Sequence, residues 1–211
     1  MSQSKNQRRK PFQTRSKATV DTLIEAAARV FSTSGFEATT TNAIAEMAGV
    51  SVGSLYQYFP DKLALLDALH QRHIIGLWQH AGLACQKGTT MVWPEALRYF
   101  VAATFAYNQS AGPLFSLFQK QLPPRIPTGA QIDTAKVVYE VKLHNFLIAH
   151  QTNIRVDINR AAYMIPVIGK GVVTNALLSD PDAMRNVSLI DELTKVLHYY
   201  LCTPESSESQ H

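Results

Sequence analysis

Read for apolar spacing alone, the chain is a succession of helical stripes broken by glycine and proline. From about Ser16 to Ser34, Val20, Leu23, Ile24, Ala27, Val30 and Phe31 recur three and four apart, with Asp21, Glu25 and Arg29 opposite, which predicts an amphipathic helix. Gly35 should end it, and Phe36 can fold back as the apolar contact that follows a helix cap. Thr40 or Thr41 can cap a short second helix in which Ile44, Ala45 and Ala48 share a face. Gly49 should stop that helix, because only glycine enters the left-handed region without steric cost. Val50 plugs the corner, and Ser51 can cap a third helix from about Val52 to Phe59. Leu55 and Phe59, four apart, turn its inner face toward the second helix. Pro60 then punctuates and Asp61 restarts a helix, with Lys62 beside its N-terminus, where its charge can join the helix-end N–H groups at a phosphate.

A long fourth helix follows from Leu63 to about Gln86, through Leu66, Leu69, His70, Ile74 and Leu77. A fifth runs from Pro94 to about Gln109, and a short, strongly apolar sixth carries Leu114, Phe115, Leu117 and Phe118. Residues 122–129 hold three prolines and cannot be regular helix. A seventh helix spans about Ala130 to His150. Asp157 can cap an eighth from Ile158 to Leu178, in which Pro166, Gly169 and Gly171 predict a kink or a close backbone approach. A ninth begins in capping-box style at Ser188–Asp191 and carries Leu189, Leu193, Val196, Leu197, Tyr200 and Leu201. No stretch alternates with period two for long, and no repeat is visible. The expected fold is all-α, with a disordered arm over 1–14 and a disordered tail over 204–211.

Composition agrees, and charge adds something the pattern does not. At 211 residues and 46% hydrophobic, the chain can bury one large core or two small ones. Residues 1–17 hold Lys5, Arg8, Arg9, Lys10, Arg15 and Lys17 and no acid, whereas the rest of the chain is nearly balanced. Such an arm either adds phosphate or minor-groove contacts beside a groove-binding helix or is a solvated tail. No apolar run reaches the ~20 residues of a membrane span, and no signal-peptide pattern follows the charged start, so a cytoplasmic protein is expected. Cys85 and Cys202, distant and without metal spacing, read as reduced thiols. Gly49–Gly53 matches the G-x-S-x-G pattern of hydrolases, but that motif needs a preceding strand, and here a helix precedes Ser51. His70 and His73 share a helical face, with His80 further along. They lack the Cys or carboxylate company of a metal site, so no metal, no cofactor and no enzyme are expected.

The stretch TTNAIAEMAGVSVGSLYQYFPDK, residues 40–62, resembles the DNA-binding signature of the TetR (tetracycline-repressor) family of bacterial transcription regulators. The resemblance covers roughly residues 18–66. It implies a three-helix helix-turn-helix domain over 15–62, then a helical effector-binding and dimerisation domain over 63–203. Carried over by motif position, Asn42, Val52, Gly53, Ser54 and Tyr56 are implied as base-edge contacts, and Thr41, Gln57, Tyr58 and Lys62 as phosphate contacts. Val52 and Gly53 offer no side-chain hydrogen bond, so part of the readout should be van der Waals. Gln57 stands where many relatives have an aromatic or basic residue, which leaves both base and phosphate open to it.

In the C-terminal part the resemblance implies architecture only. It favours an apolar effector pocket over plain core for the aromatic residues. Candidate lining residues are His70, Ile74, Trp78, Phe100, Thr104, Tyr107, Phe118, Tyr139, Phe146 and Tyr163. A palindrome-reading motif calls for a homodimer, with Val172, Ala176, Leu193, Val196 and Leu197 as the expected seam. The function implied is a ligand-responsive, sequence-specific repressor of palindromic operator DNA, released by a small, largely apolar or aromatic effector. An architectural DNA binder without effector control is the alternative, and an enzyme resting on Ser51 or on His70 and His73 is a third class.

Overall fold

The computed structural model describes residues 9–122, 129–179 and 187–203, with side chains within 16–122, 129–176 and 188–203. Expectations for residues 1–8, 123–128 and 204–211 lie outside the described residues. Nine helices and no strand occur among the described residues. They are α1 (Arg9–Ala38), α2 (Thr41–Ala48), α3 (Val52–Tyr56), α4 (Lys62–Gly88), α5 (Glu95–Ser110), α6 (Pro113–Gln121), α7 (Ala130–Ala149), α8 (Ile158–Ser179) and α9 (Val187–Cys202). None of these is long and apolar enough to cross a membrane.

α1 already includes Arg9, the first described residue and seven positions before the expected Ser16, so residues 9–14 are helical and not a disordered arm. Gly35 leaves helical geometry at φ 72° and ψ 175°, as the sequence predicts, and a final turn to Ala38 follows. Phe36 folds back to stack on Phe31 at 5.7 Å between ring centroids. α8 continues through Pro166, and a Cβ on Gly169 or Gly171 would meet nothing within 4 Å. Among the described residues, therefore, no backbone approaches α8 there. α9 begins at Val187, which puts Ser188 inside the first turn rather than at the cap.

The chain forms two compact units. The first holds α1–α3, the start of α4 up to Arg72, and residues 117–122. α1 packs on α2 and α2 on α3. Leu23, Ala27 and Phe31 of α1, Ile44 and Ala45 of α2, Leu55 of α3, and Leu65 and Leu66 of α4 are among its buried side chains. The opening turns of α4 thus belong with the helix-turn-helix, beyond the boundary at 62–63 that the sequence suggests. Arg72 adds ion pairs to Asp21 at 3.7 Å and Glu25 at 3.6 Å, all well exposed and so worth little.

The second unit runs from His73 to Ser116 and takes in the described residues 129–179 and 187–203. Here α5 packs on α9 and α8, and α8 on α7 and α9. One core joins Leu97, Phe100, Val101 and Phe105 of α5 to Tyr139, Leu143, Phe146 and Leu147 of α7. It continues through Ala161 and Ile165 of α8 to Leu193, Leu197 and Leu201 of α9. Cys85 is buried in it, and burial pushes its thiol up to about 12, which keeps it an inert apolar group.

Candidate nucleic-acid interface and effector region

The reading head is built by local caps. Thr40 is extended, and its hydroxyl accepts from the Ala43 N–H at 3.1 Å, so α2 starts with one of its orphan donors satisfied. Gly49 ends α2 at φ 66°, and the Val50 N–H reaches back to the Ala45 carbonyl at 3.0 Å, a Schellman closure that only glycine accommodates readily. Two residues later Ser51 caps α3 by accepting from the Ser54 N–H at 3.1 Å. That capping role disposes of the G-x-S-x-G reading. Asp61 caps α4 in the same way, accepting from the Ala64 N–H at 2.8 Å. α3 is regular only to Tyr56. The chain continues through Gln57 in helical geometry, and the Leu55 carbonyl accepts from both Tyr58 and Phe59.

This arrangement buries Leu55 and Phe59 and leaves an outward face of Val52, Gly53, Ser54, Tyr56 and Gln57. Gly53 is exposed, and a Cβ built on it would meet only the Ser51 hydroxyl, at 3.9 Å. Two polar candidates are held within the domain. Ser54 Oγ lies 2.8 Å from Ser51 Oγ, and the Tyr56 hydroxyl lies 3.0 Å from Thr41 Oγ1. The second pair joins a residue implied for a base edge to one implied for a phosphate and clasps α3 to the start of α2. Asn42 is exposed on α2, while Tyr58 is half-buried.

Lys62 differs from its expected role. Its ammonium donates to the carbonyls of Phe36 at 2.8 Å, Glu37 at 3.2 Å and Thr39 at 3.3 Å, and stands 4.5 Å above the Phe36 ring. An ammonium has three hydrogens, and three carbonyls accept them. In this geometry none is left for a phosphate.

In the second unit, α4 and α5 meet through polar and aromatic groups. Asn108, almost fully buried, places Oδ1 3.3 Å from His73 Nε2 and donates to the Thr104 carbonyl at 2.9 Å. Burial holds the His73 imidazole below its usual range, opposed by the Asn108 bond. Tyr107 lies between the His73 and His80 rings, at 5.2 and 4.4 Å between centroids, and donates to the His73 carbonyl at 3.3 Å. Its hydroxyl occupies the space a Cβ on Gly76 would need. The sequence pattern missed Asn108, a polar residue on an apolar face whose only legible signal is its place beside Thr104, one turn away.

The ten expected pocket residues do not form one set. His70 and Phe118 belong to the first unit, with ring centroids 4.9 Å apart. In the second unit Trp78 stacks on Tyr139 at 4.9 Å, and Phe100 lies 6.1 Å from Phe146. Phe100, Tyr139 and Phe146 are core residues, whereas Ile74, Trp78, Thr104 and Tyr107 are half-buried. The indole N–H of Trp78 is buried and has no hydrogen-bond partner among the described residues. Thr104 donates to the Phe100 and Val101 carbonyls of its own helix. Tyr163 corrects the expectation: it is 70% exposed on α8 and lines no interior.

The expected seam divides too. Leu193 and Leu197 are 4% and 1% exposed because they face the chain's own core, so they are not available to a partner. Val196, one position before Leu197, points the other way and is 55% exposed. Val172 and Ala176 line an open groove of about 540 Å³ together with Val167, Ile168, Gly171, Asn175 and Leu189. Tyr163 and Val167 of α8 and Val196 and Tyr199 of α9 are large apolar side chains left to solvent.

Comparison with known proteins follows the same division. Residues 23–69 match the family model described as bacterial regulatory proteins, tetR family. The HTH-type transcriptional regulator BetI of Paraburkholderia phymatum is 37% identical over 94 residues, which is 44% of this chain and 46% of that protein. The HTH-type transcriptional repressor KstR of Mycolicibacterium smegmatis is 28% identical over 151 residues, 59% of this chain and 73% of that one. The chain thus spans about half the length of the first of these relatives and about three quarters of the second. Both are named as transcriptional regulators, not as enzymes. Among solved structures, the transcriptional regulator FadR of Bacillus subtilis, in complex with stearoyl-CoA, has a TM-score of 0.59 at 19% identity. It covers 86% of this chain and 98% of that one, a likeness of fold.

Proposed function

The chain belongs to the TetR family of bacterial regulatory proteins, and from that premise we propose that it is a homodimeric repressor of palindromic operator DNA, released by a small apolar effector. The observation that carries the DNA-binding part is the outward face of α3. A short helix capped by Ser51 presents a slim tip at Val52 and Gly53, with Ser54, Tyr56 and Gln57 behind it, which suits a major groove. Base edges are assigned to Asn42, Val52, Gly53, Ser54 and Tyr56. Phosphates fall to Thr41, Gln57 and Tyr58, and to the basic N-terminal arm. Tyr56 and Thr41 exchange their mutual hydrogen bond for DNA partners on binding.

Two copies pair through α8 and α9. The groove lined by Val167, Val172 and Ala176, and Val196 exposed on α9, give an apolar surface that the described residues leave uncovered. The effector site lies in the second unit, among the half-buried residues Ile74, Trp78, Thr104 and Tyr107. There the unpartnered Trp78 N–H is a ready donor for one polar group of an otherwise apolar ligand. A long acyl chain, as in the stearoyl-CoA bound by the FadR neighbour, has that character. Opening the Trp78–Tyr139 stack admits it, and α4, which contributes residues to both units, carries the change to the reading head.

An effector shifts the equilibrium only by its differential affinity for the two states. A coupling of ~1–3 kcal/mol changes DNA affinity about 5- to 150-fold, and DNA weakens effector binding by the same factor. The test is titration of stearoyl-CoA, and of stearate, into the protein alone and into its complex with a preferred duplex, followed by tryptophan fluorescence. Weaker binding to the complex is expected. Equal affinities would remove the coupling, and no binding of either compound would remove the acyl class.

A further inference from the structure

We infer that Lys62 is a positioning residue that sets the orientation of the helix-turn-helix, and not a DNA contact. The inference rests on the proposed reading of DNA by α3. Beyond Gly35 the last turn of α1 is short, so the carbonyls of Phe36, which accepts from the Thr39 N–H at 3.3 Å, and of Glu37 and Thr39 lie where no further turn of α1 follows. Lys62, the first residue of α4, meets all three within 2.8 to 3.3 Å, and its ammonium rests on the Phe36 ring, which is itself fixed against Phe31.

The tie matters because of what it joins. Thr39 directly precedes Thr40, the cap of α2, and its own hydroxyl donates to the Gly35 carbonyl at 2.6 Å. One ammonium therefore holds the end of α1, the start of α4 and the entry to α2 together. α3 follows α2 as a unit, through the Schellman turn at Gly49 and the buried side chains of Ile44 and Leu55. Remove the ammonium, and α2 with α3 loses its fixed angle to α1 while the outward residues of α3 stay unchanged. A phosphate contact by Lys62 would require breaking this set at the moment of binding. Loss of a phosphate contact and loss of positioning have different signatures. The first lowers affinity for every sequence and reduces the salt dependence. The second lowers discrimination between sequences and leaves the salt dependence alone.

The experiment uses the full chain with Lys62→Met, which keeps the apolar stem and drops the charge. Two duplexes of equal length are needed: one enriched from a random pool by the wild-type protein, and one of random sequence. The variant should lose about tenfold in affinity for the enriched duplex, the discrimination of roughly one base contact. On the random duplex its affinity and its slope of log affinity against log salt should match wild type. A slope reduced by about one, with the ratio between duplexes kept, would make Lys62 a phosphate contact and overturn the inference. If circular dichroism shows Lys62→Met unfolded, Lys62→Gln, with two donors on a shorter stem, takes its place in the same comparison. If the wild type enriches no duplex, the reading of DNA itself fails. Hydrogen exchange then decides the role of Lys62: faster exchange across residues 40–59 in the variant supports it, and unchanged exchange overturns it.

Discussion

Gly53 has no structural reason to be glycine. Its backbone is helical, and a methyl group there would touch only the Ser51 hydroxyl at ordinary contact distance. A glycine inside a helix costs about 1 kcal/mol relative to alanine, so its presence on an exposed face points to something outside the chain that needs the room. In the proposed complex with DNA that something is the edge of a base or a phosphate approaching the bare backbone. Gly53→Ala should raise the unfolding free energy by ~0.5–1 kcal/mol in denaturant titration while weakening binding to the preferred duplex. A variant that is stabilised and binds as tightly as wild type would release Gly53 from the interface. At this scale much was legible in the sequence. The caps at Thr40, Ser51, Asp61 and Asp157 and the stops at Gly35 and Gly49 depend on chemistry within four or five residues. The Lys62 tie and the Thr41–Tyr56 clasp were not legible, because each joins residues 15 to 26 apart that only the closed fold brings together.

Helix order and most helix bounds also followed from the spacing of apolar residues, but the spacing says less about which edge of a wide stripe is used. α9 shows why. Leu193, Leu197 and Leu201 recur every four residues and face inward, whereas Val196 and Tyr199 extend the same apolar band to the outside. Periodicity alone reads them as one surface, so Leu193 and Leu197 looked as fit for a partner as Val196. The distinction separates two substitutions on neighbouring positions. Leu197→Asp places an unpaired charge in the core and should leave the chain unfolded or molten. Val196→Asp places the same charge on the outer face of α9 and should leave circular dichroism unchanged while converting dimer to monomer in analytical ultracentrifugation. A folded Val196→Asp that sediments as wild type would move the seam off this face. The proposed effector site was hard to place from sequence for a related reason: aromatic residues that stack on one another and aromatic residues that face a ligand share one pattern.

For the whole molecule, the central claim is that two copies of one reading head are held at a fixed spacing. The first unit supplies the head, with its own buried core of Leu23, Phe31, Ile44, Leu55 and Leu66. The second supplies an apolar surface on α8 and α9 that a single chain leaves open. Two-fold pairing of such chains dictates the symmetry of the DNA they read, and the distance between the two α3 helices dictates the separation of its halves. An architectural binder with the same helix-turn-helix would show neither constraint. The most direct measurement is selection of duplexes from a random pool by the full-length protein, followed by sequencing. The enriched duplexes should share an inverted repeat whose half-site centres lie about one helical turn, roughly 34–36 Å, or a multiple of it apart. Enrichment of a single asymmetric half-site, or of no sequence at all, would contradict the account.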